Sequence, residues 1–156
     1  MKKAQDYYYD DYYTGMKFEV PPVTFTEEEI IEFAKEFDPL PIHIDKDYAA
    51  NHSRFKDLIA SGYHTLIKVW GAWVKMGYES DKTIAGVGMD EVLWLSPVYP
   101  GDILTSVVEI VNLIPTSRDT QGIVEVRLVS KNQRGQEVIT MRVKGLVKKR
   151  PVKKEE

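Results

Sequence analysis

Asp38 and His43 stand five positions apart in the stretch FDPLPIHID, residues 37–45, with Pro39 and Pro41 between them. A carboxylate and an imidazole can each take and return a proton under ordinary conditions. Proline fixes φ, so the spacing of the pair is stiffened. Such a pair can orient a water molecule and pass its proton, whereas two unrelated polar residues in a surface loop have no need of rigid spacing. A second group lies in IASGYHT, residues 59–65, at the start of a long apolar run. Ser61 suits the cap of a helix, and Gly62 leaves room for a ligand to approach the backbone. The first N–H groups of that helix, at the positive end of its dipole, would accept developing negative charge. Taken alone, Ser61 and Gly62 are better explained as a plain helix cap; beside the Asp38–His43 pair the charge-accepting reading is preferred.

The remaining candidates have competing readings. Tyr63, His64 and Leu40 are candidates to line a pocket beside these groups, although a core or capping role is the commoner one for a histidine placed like His64. His52, beside Ser53 and Arg54, reads as a surface residue. On an extended segment His43, Asp45 and Asp47 would point to one side and could bind a metal. Asp45 is also a good helix cap, and a metal reading leaves Asp38 without a purpose, so no metal site is expected. Arg54, Lys56, Arg118 and Arg127 read as solvated surface positions.

Elements of two kinds must hold these groups. GMKFEV alternates Met16, Phe18 and Val20 with polar residues, which predicts a half-buried strand stopped by Pro21-Pro22. TEEEIIEFAKEF predicts a helix, with Thr26 as cap, Glu29 three residues on, and Ile30, Phe33, Ala34 and Phe37 as its apolar stripe. Pro39 ends it just after Asp38, and Asp45 caps a further short turn. The run from Ser61 to Glu79 is apolar on nearly every side, which predicts a helix wrapped by other structure. Four stretches rich in Val, Ile, Leu and Thr follow, at 86–95, 102–114, 122–132 and 137–149. PVYPGD reads as a turn fixing entry to a long strand, and NQRGQ as a hairpin turn with glycine supplying positive φ. One antiparallel sheet curling around one apolar helix, an α+β layer structure, is the economical arrangement.

Bulk properties limit the chemistry. The 156 residues, 43% hydrophobic and 29% charged, suit one globular domain. A formal charge of −3 gives no general cationic field, so nucleic acid is not an expected partner. With no cysteine there is no thiol nucleophile, disulfide or cysteine zinc site, which fits a cytoplasmic protein. The sequence shows neither a signal-like apolar leader nor a stretch of some 18 uncharged apolar residues, so membrane insertion is not expected. QDYYYDDYY, with five tyrosines and three aspartates, reads as a lead-in laying rings on the fold or a partner. Expected boundaries are a lead-in at 1–13, a domain at 14–148 and a charged, solvated tail at 149–156.

FAKEFDPLPIHID, IASGYHT, PVYPGD and NQRG, in this order and at these intervals, resemble the MaoC-like dehydratases, the (R)-specific enoyl-CoA hydratase family. The likeness spans about residues 12–150. It implies a single hot-dog domain, a sheet wrapped around a central helix, with two subunits usually joining their sheets; a homodimer is therefore expected. It implies hydration of trans-2-enoyl-CoA thioesters to (R)-3-hydroxyacyl thioesters, or the reverse, with Asp38 and His43 as the catalytic pair. Pro41 and Ile42 match the family motif, and Leu40 stands where the motif has Asn. No cofactor is implied, coenzyme A being part of the acyl-CoA substrate. Water would add at C3 and a proton at C2, with enolate-like charge received at the Gly62 N–H. An acyl-CoA thioesterase, or an acyl-binding subunit without chemistry, are the alternatives on the same fold, and Tyr63, Trp70 and Trp73 are candidates to limit the depth of an acyl tunnel.

Overall fold

The computed structural model describes residues 1–153. Thr26 accepts a hydrogen bond from the Glu29 N–H (3.2 Å) and starts α1, Glu27–Phe37. Glu29 does not close the capping box, because its carboxylate pairs instead with Lys68 of a later helix. Ile30 and Ala34 of the apolar stripe are fully buried, whereas Phe37 is exposed. Two short helices follow: α2 at Pro41–Ile44, which begins on a proline, and α3 at Lys46–His52, whose Asp45 cap accepts from the Tyr48 N–H (2.9 Å). His43 is thus on a helical turn, not on the extended segment that the metal reading requires.

The long apolar run forms α4, Gly62–Val74, capped by Ser61. Five strands, β1 (Lys17–Thr24), β2 (Thr83–Trp94), β3 (Ile103–Pro115), β4 (Gln121–Lys131) and β5 (Glu137–Lys148), make one antiparallel sheet in the order β1-β3-β4-β5-β2. The sheet curls about α4, giving the α+β hot-dog arrangement. Thr65, Val69 and Trp73, four residues apart on α4, face Leu104, Val108, Ile110, Leu128 and Met141 in a closed core. The helix is wrapped on one side only. Tyr63, Ile67 and Val74 remain substantially exposed, because five strands do not span its full circumference.

Two boundaries of edge strands depart from expectation. Pro21 and Pro22 do not stop β1; the register shifts between Val20 and Val23 and the strand runs on to Thr24. An edge strand needs no outward N–H donors, so it accommodates the two prolines as an irregularity. At the opposite edge β2 begins three residues earlier than its alternation suggests, at Thr83. The hairpin between β4 and β5 turns on Gly135 at φ 78°, as NQRGQ implied.

The tyrosine-rich lead-in does more than coat the surface. Tyr12 enters the core, Tyr7 packs edge-on against Tyr78, and Tyr9 lies over Gly122, where any Cβ would meet the ring. Arg150 is tied back to it, pairing with Asp11 (2.7 Å) and donating its N–H to Asp10 (2.7 Å). The last three residues of the charged tail, 154–156, lie outside the described residues. Among the described residues no helix is long and apolar enough to cross a membrane.

Candidate active site

Helix α1 hands the chain to the site. Asp38 is its C-cap residue, with its N–H bonded to Ala34 O (2.9 Å), and Pro39 prevents another helical turn. A tight turn, Leu40 N–H to Asp38 O (2.8 Å), leads into α2 and brings His43 back beneath the carboxylate. The imidazole is buried, and its Nδ1 lies 2.7 Å from the Ile59 carbonyl oxygen. A carbonyl only accepts, so Nδ1 carries a proton, and in the neutral form of the ring the lone pair is at Nε2. That Nε2 lies 3.4 Å from Asp38 Oδ2. Ser61 donates its hydroxyl to the same Oδ2 at 2.7 Å. Two acceptors therefore converge, and a molecule with two donors, such as water, satisfies both.

Beside this pair an apolar cleft of about 380 Å³ opens between α4, the Phe55–Ala60 segment and the stretch from Trp94 to Val98. His43 and Gly62 both line it, which joins the acid–base pair to the start of α4. Gly62 is the first residue of that helix, so its N–H has no carbonyl of its own helix to bond. The glycine is needed for packing: a Cβ at 62 would lie 2.6 Å from the Trp94 ring, whose Nε1 donates to Gly62 O (2.9 Å). A larger depression of about 790 Å³ lies elsewhere, against β1, β3, β4 and the start of β5. Its lining mixes three cations, Lys17, Arg127 and Lys131, with Glu19, Glu109 and Glu137, and includes no histidine. Proton transfer is better served by the smaller cleft, where a poised imidazole meets a free helix N–H.

The model of the MaoC-like domain matches residues 12–133. The chain belongs to the MaoC-like domain family. It is 34% identical over 140 residues to the uncharacterized protein YdeM of Bacillus subtilis, covering 90% of this chain and 98% of YdeM. Among solved structures it resembles a MaoC-like dehydratase from Rhodospirillum rubrum, 33% identical with TM-score 0.85 over 94% of this chain and 99% of that one. A protein from Archaeoglobus described as a monoamine oxidase regulatory protein is similarly related, 31% identical with TM-score 0.86 over 93% and 96%.

Within this MaoC-like site the structure brings together Asp38, His43, Ser61 and Gly62, while Tyr63 lines the cleft at its rim. Two other candidates point elsewhere. Leu40 is half-exposed as the N-cap residue of α2, where its side chain makes no capping bond and does not reach the cleft. His64 faces away as well, because position 64 falls on the side of α4 that packs on α1. There it stacks on Phe33 (4.6 Å between ring centroids) and meets the edge of Phe25. Burial between those rings holds the His64 pKa below the ordinary imidazole value; Glu29, 3.8 Å from Nε2, opposes the shift and Lys68 adds to it. Its Nδ1 is buried without a hydrogen-bond partner. Trp73 is core and Trp70 packs against it, so neither lines the cleft. His52 is exposed, as are Arg54, Lys56, Arg118 and Arg127.

Sequence reasoning missed Trp94, Phe55 and the Ile59 carbonyl. The signal for Trp94 was a tryptophan at the end of a strand followed by a proline turn. PVYPGD closes the far side as a fixed corner, with buried Asp102 accepting from Tyr99 N–H (2.9 Å) and Gln133 Nε2 (2.8 Å).

Proposed function

We propose that the protein hydrates trans-2-enoyl-CoA thioesters to (R)-3-hydroxyacyl-CoA, or catalyses the reverse dehydration. The observation that carries this reading is the convergence of Asp38 Oδ2 and His43 Nε2, 3.4 Å apart, beside the free first N–H of α4. Membership of the MaoC-like family and the likeness to a MaoC-like dehydratase support it.

Water held between the two acceptors has its oxygen directed at C3 of a bound enoyl group. As it attacks, His43 Nε2 takes one of its protons, and the Ile59 carbonyl stabilises the imidazolium that forms by accepting from Nδ1. The proton taken up at Nε2 passes by way of the Asp38 carboxylate, 3.4 Å away and held by Ser61, to C2, so that the water's O–H ends on C3 and its other hydrogen on C2. Charge building on the thioester oxygen is received at the Gly62 N–H. Base, acid and charge acceptor all come from the chain, so the reaction needs no cofactor beyond the coenzyme A of the substrate.

A homodimer is part of this reading. The outer edge of β2 is unpaired, and Ile84, Val87 and Met89 along it are exposed, as is the uncovered stripe of α4. A second copy pairing there continues the sheet and covers both surfaces.

Crotonyl-CoA, followed for loss of enoyl absorbance and for thiol release, tests the function. Loss without thiol release is expected, and Asp38→Asn and His43→Ala should each slow it by about 10²–10⁴-fold. Wild-type rates in both variants would reject the roles, and thiol release without hydration would reassign the chemistry to a thioesterase.

A further inference from the structure

We propose that Trp94 sets the largest acyl group that the cleft admits, an inference that rests on the acyl-thioester reading above. Its first support is the path of β2. Met89 pairs with Val143 and faces the inner side of the sheet with Val124 and Val126. In a regular strand the residues sharing that face would be 91, 93 and 95. The register instead shifts between Asp90 and Leu93, with Glu91 in the left-handed region at φ 52°. One extra residue reverses the parity: Leu93 lies on the outer side, lining a hollow with Arg127 and Arg142, and Trp94 turns inward opposite Ile139. Bulges of this kind re-aim a side chain, and a non-glycine residue at positive φ is strained. The chain here departs from regular strand geometry, and Trp94 faces the cleft as the result.

A second support is the seat of the ring. The indole occupies the space that a side chain at 62 would take, bonds to the Gly62 carbonyl, and meets Tyr63 edge-on at 5.6 Å between centroids. It therefore stands next to the backbone that receives the thioester.

Exposure separates Trp94 from the buried part of the lining. Ile59, Ala60, Val98 and Val138 are buried and fixed by the core behind them. Trp94 is 48% exposed and is the largest side chain lining the cleft. It is the lining residue whose removal most enlarges the space with least disturbance to the fold.

The test compares short and long substrates in the wild type, Trp94→Ala and Trp94→Phe. The ratio of kcat/KM for trans-2-octenoyl-CoA over crotonyl-CoA should rise by at least about tenfold in Trp94→Ala, the scale on which pockets discriminate methylenes. In Trp94→Phe, which loses the indole N–H but keeps a ring, the ratio should stay within about threefold of wild type. Affinities for octanoyl-CoA and butyryl-CoA, which cannot be hydrated, should shift in the same sense. A Trp94→Ala ratio within about threefold of wild type, in both rates and affinities, overturns the proposal. A shifted affinity ratio in a protein that hydrates nothing sustains the role of Trp94 and overturns the hydratase reading. Failure to bind either saturated thioester overturns both.

Discussion

Removing the hydroxyl of Ser61 separates its positioning role from the chemistry of the pair it serves. Ser61 is fully buried; its hydroxyl donates to Asp38 Oδ2 at 2.7 Å and accepts from the Tyr63 N–H at 3.3 Å. Ser61→Ala deletes both bonds and leaves Asp38 free to rotate away from His43. A hydrogen bond to a charged group contributes about 1.5–3 kcal/mol. If the whole of that is expressed in the transition state, kcat falls by about 10- to 150-fold, at 1.36 kcal/mol per decade. The lost cap costs about 0.5–2 kcal/mol of stability, a shift of a few degrees in Tm. Crotonyl-CoA hydration should show the loss in kcat with little change in KM, because Ser61 touches the carboxylate and not the acyl group. Ser61→Thr, which keeps a hydroxyl, should recover part of the rate. Wild-type kcat in Ser61→Ala, with the expected fall in Tm, would refute the idea that this bond aims the carboxylate.

The other expectations concern stability and assembly. His64 is held neutral in the folded protein by burial, so its folded pKa lies below the unfolded one. The unfolded chain then binds more protons as pH falls, and stability is lost below about pH 6.5. His64→Gln should flatten the fall in urea midpoint between pH 7.5 and 5.5; an unchanged slope counts against the assignment. Trp73, 1% exposed and stacked on Tyr78, should cost about 3–5 kcal/mol when cut to alanine, read from urea unfolding. Sedimentation should find the wild type dimeric and an Ile84→Lys, Val87→Lys double variant shifted to monomer. A monomeric wild type would remove the proposed use of the β2 edge.

What could be read from the sequence divides along the range of the forces involved. The cap at Thr26, the stop after Asp38, the helix start at Ser61 and the Gly135 hairpin are written in residues within four positions of one another, and each stands where expected, whereas the helix from Ser61 ends at Val74, short of Glu79. Asp38 and His43 were legible for the same reason, since two prolines fix the path between them. Contacts between distant segments were not legible. Nothing local to His43 announces that the Ile59 carbonyl selects its tautomer, and nothing near Gly62 announces a tryptophan from position 94. The core role favoured for His64 holds, but its stacking partner Phe33 could not be named until α1 is docked against α4. The run through Pro21-Pro22 was hidden because only the sheet order reveals that β1 is an edge.

Those same prolines bear on how large an assembly can grow. A sheet with two open borders is a template for endless addition, each newcomer offering a fresh border to the next. Here the far border carries Pro21 and Pro22, which have no N–H to offer an incoming strand, and a kink that spoils the spacing. In the dimer proposed above, joining through β2 would leave Pro21 and Pro22 at both ends of the continuous sheet, so that further strand addition would stop at a pair instead of running on into a fibre.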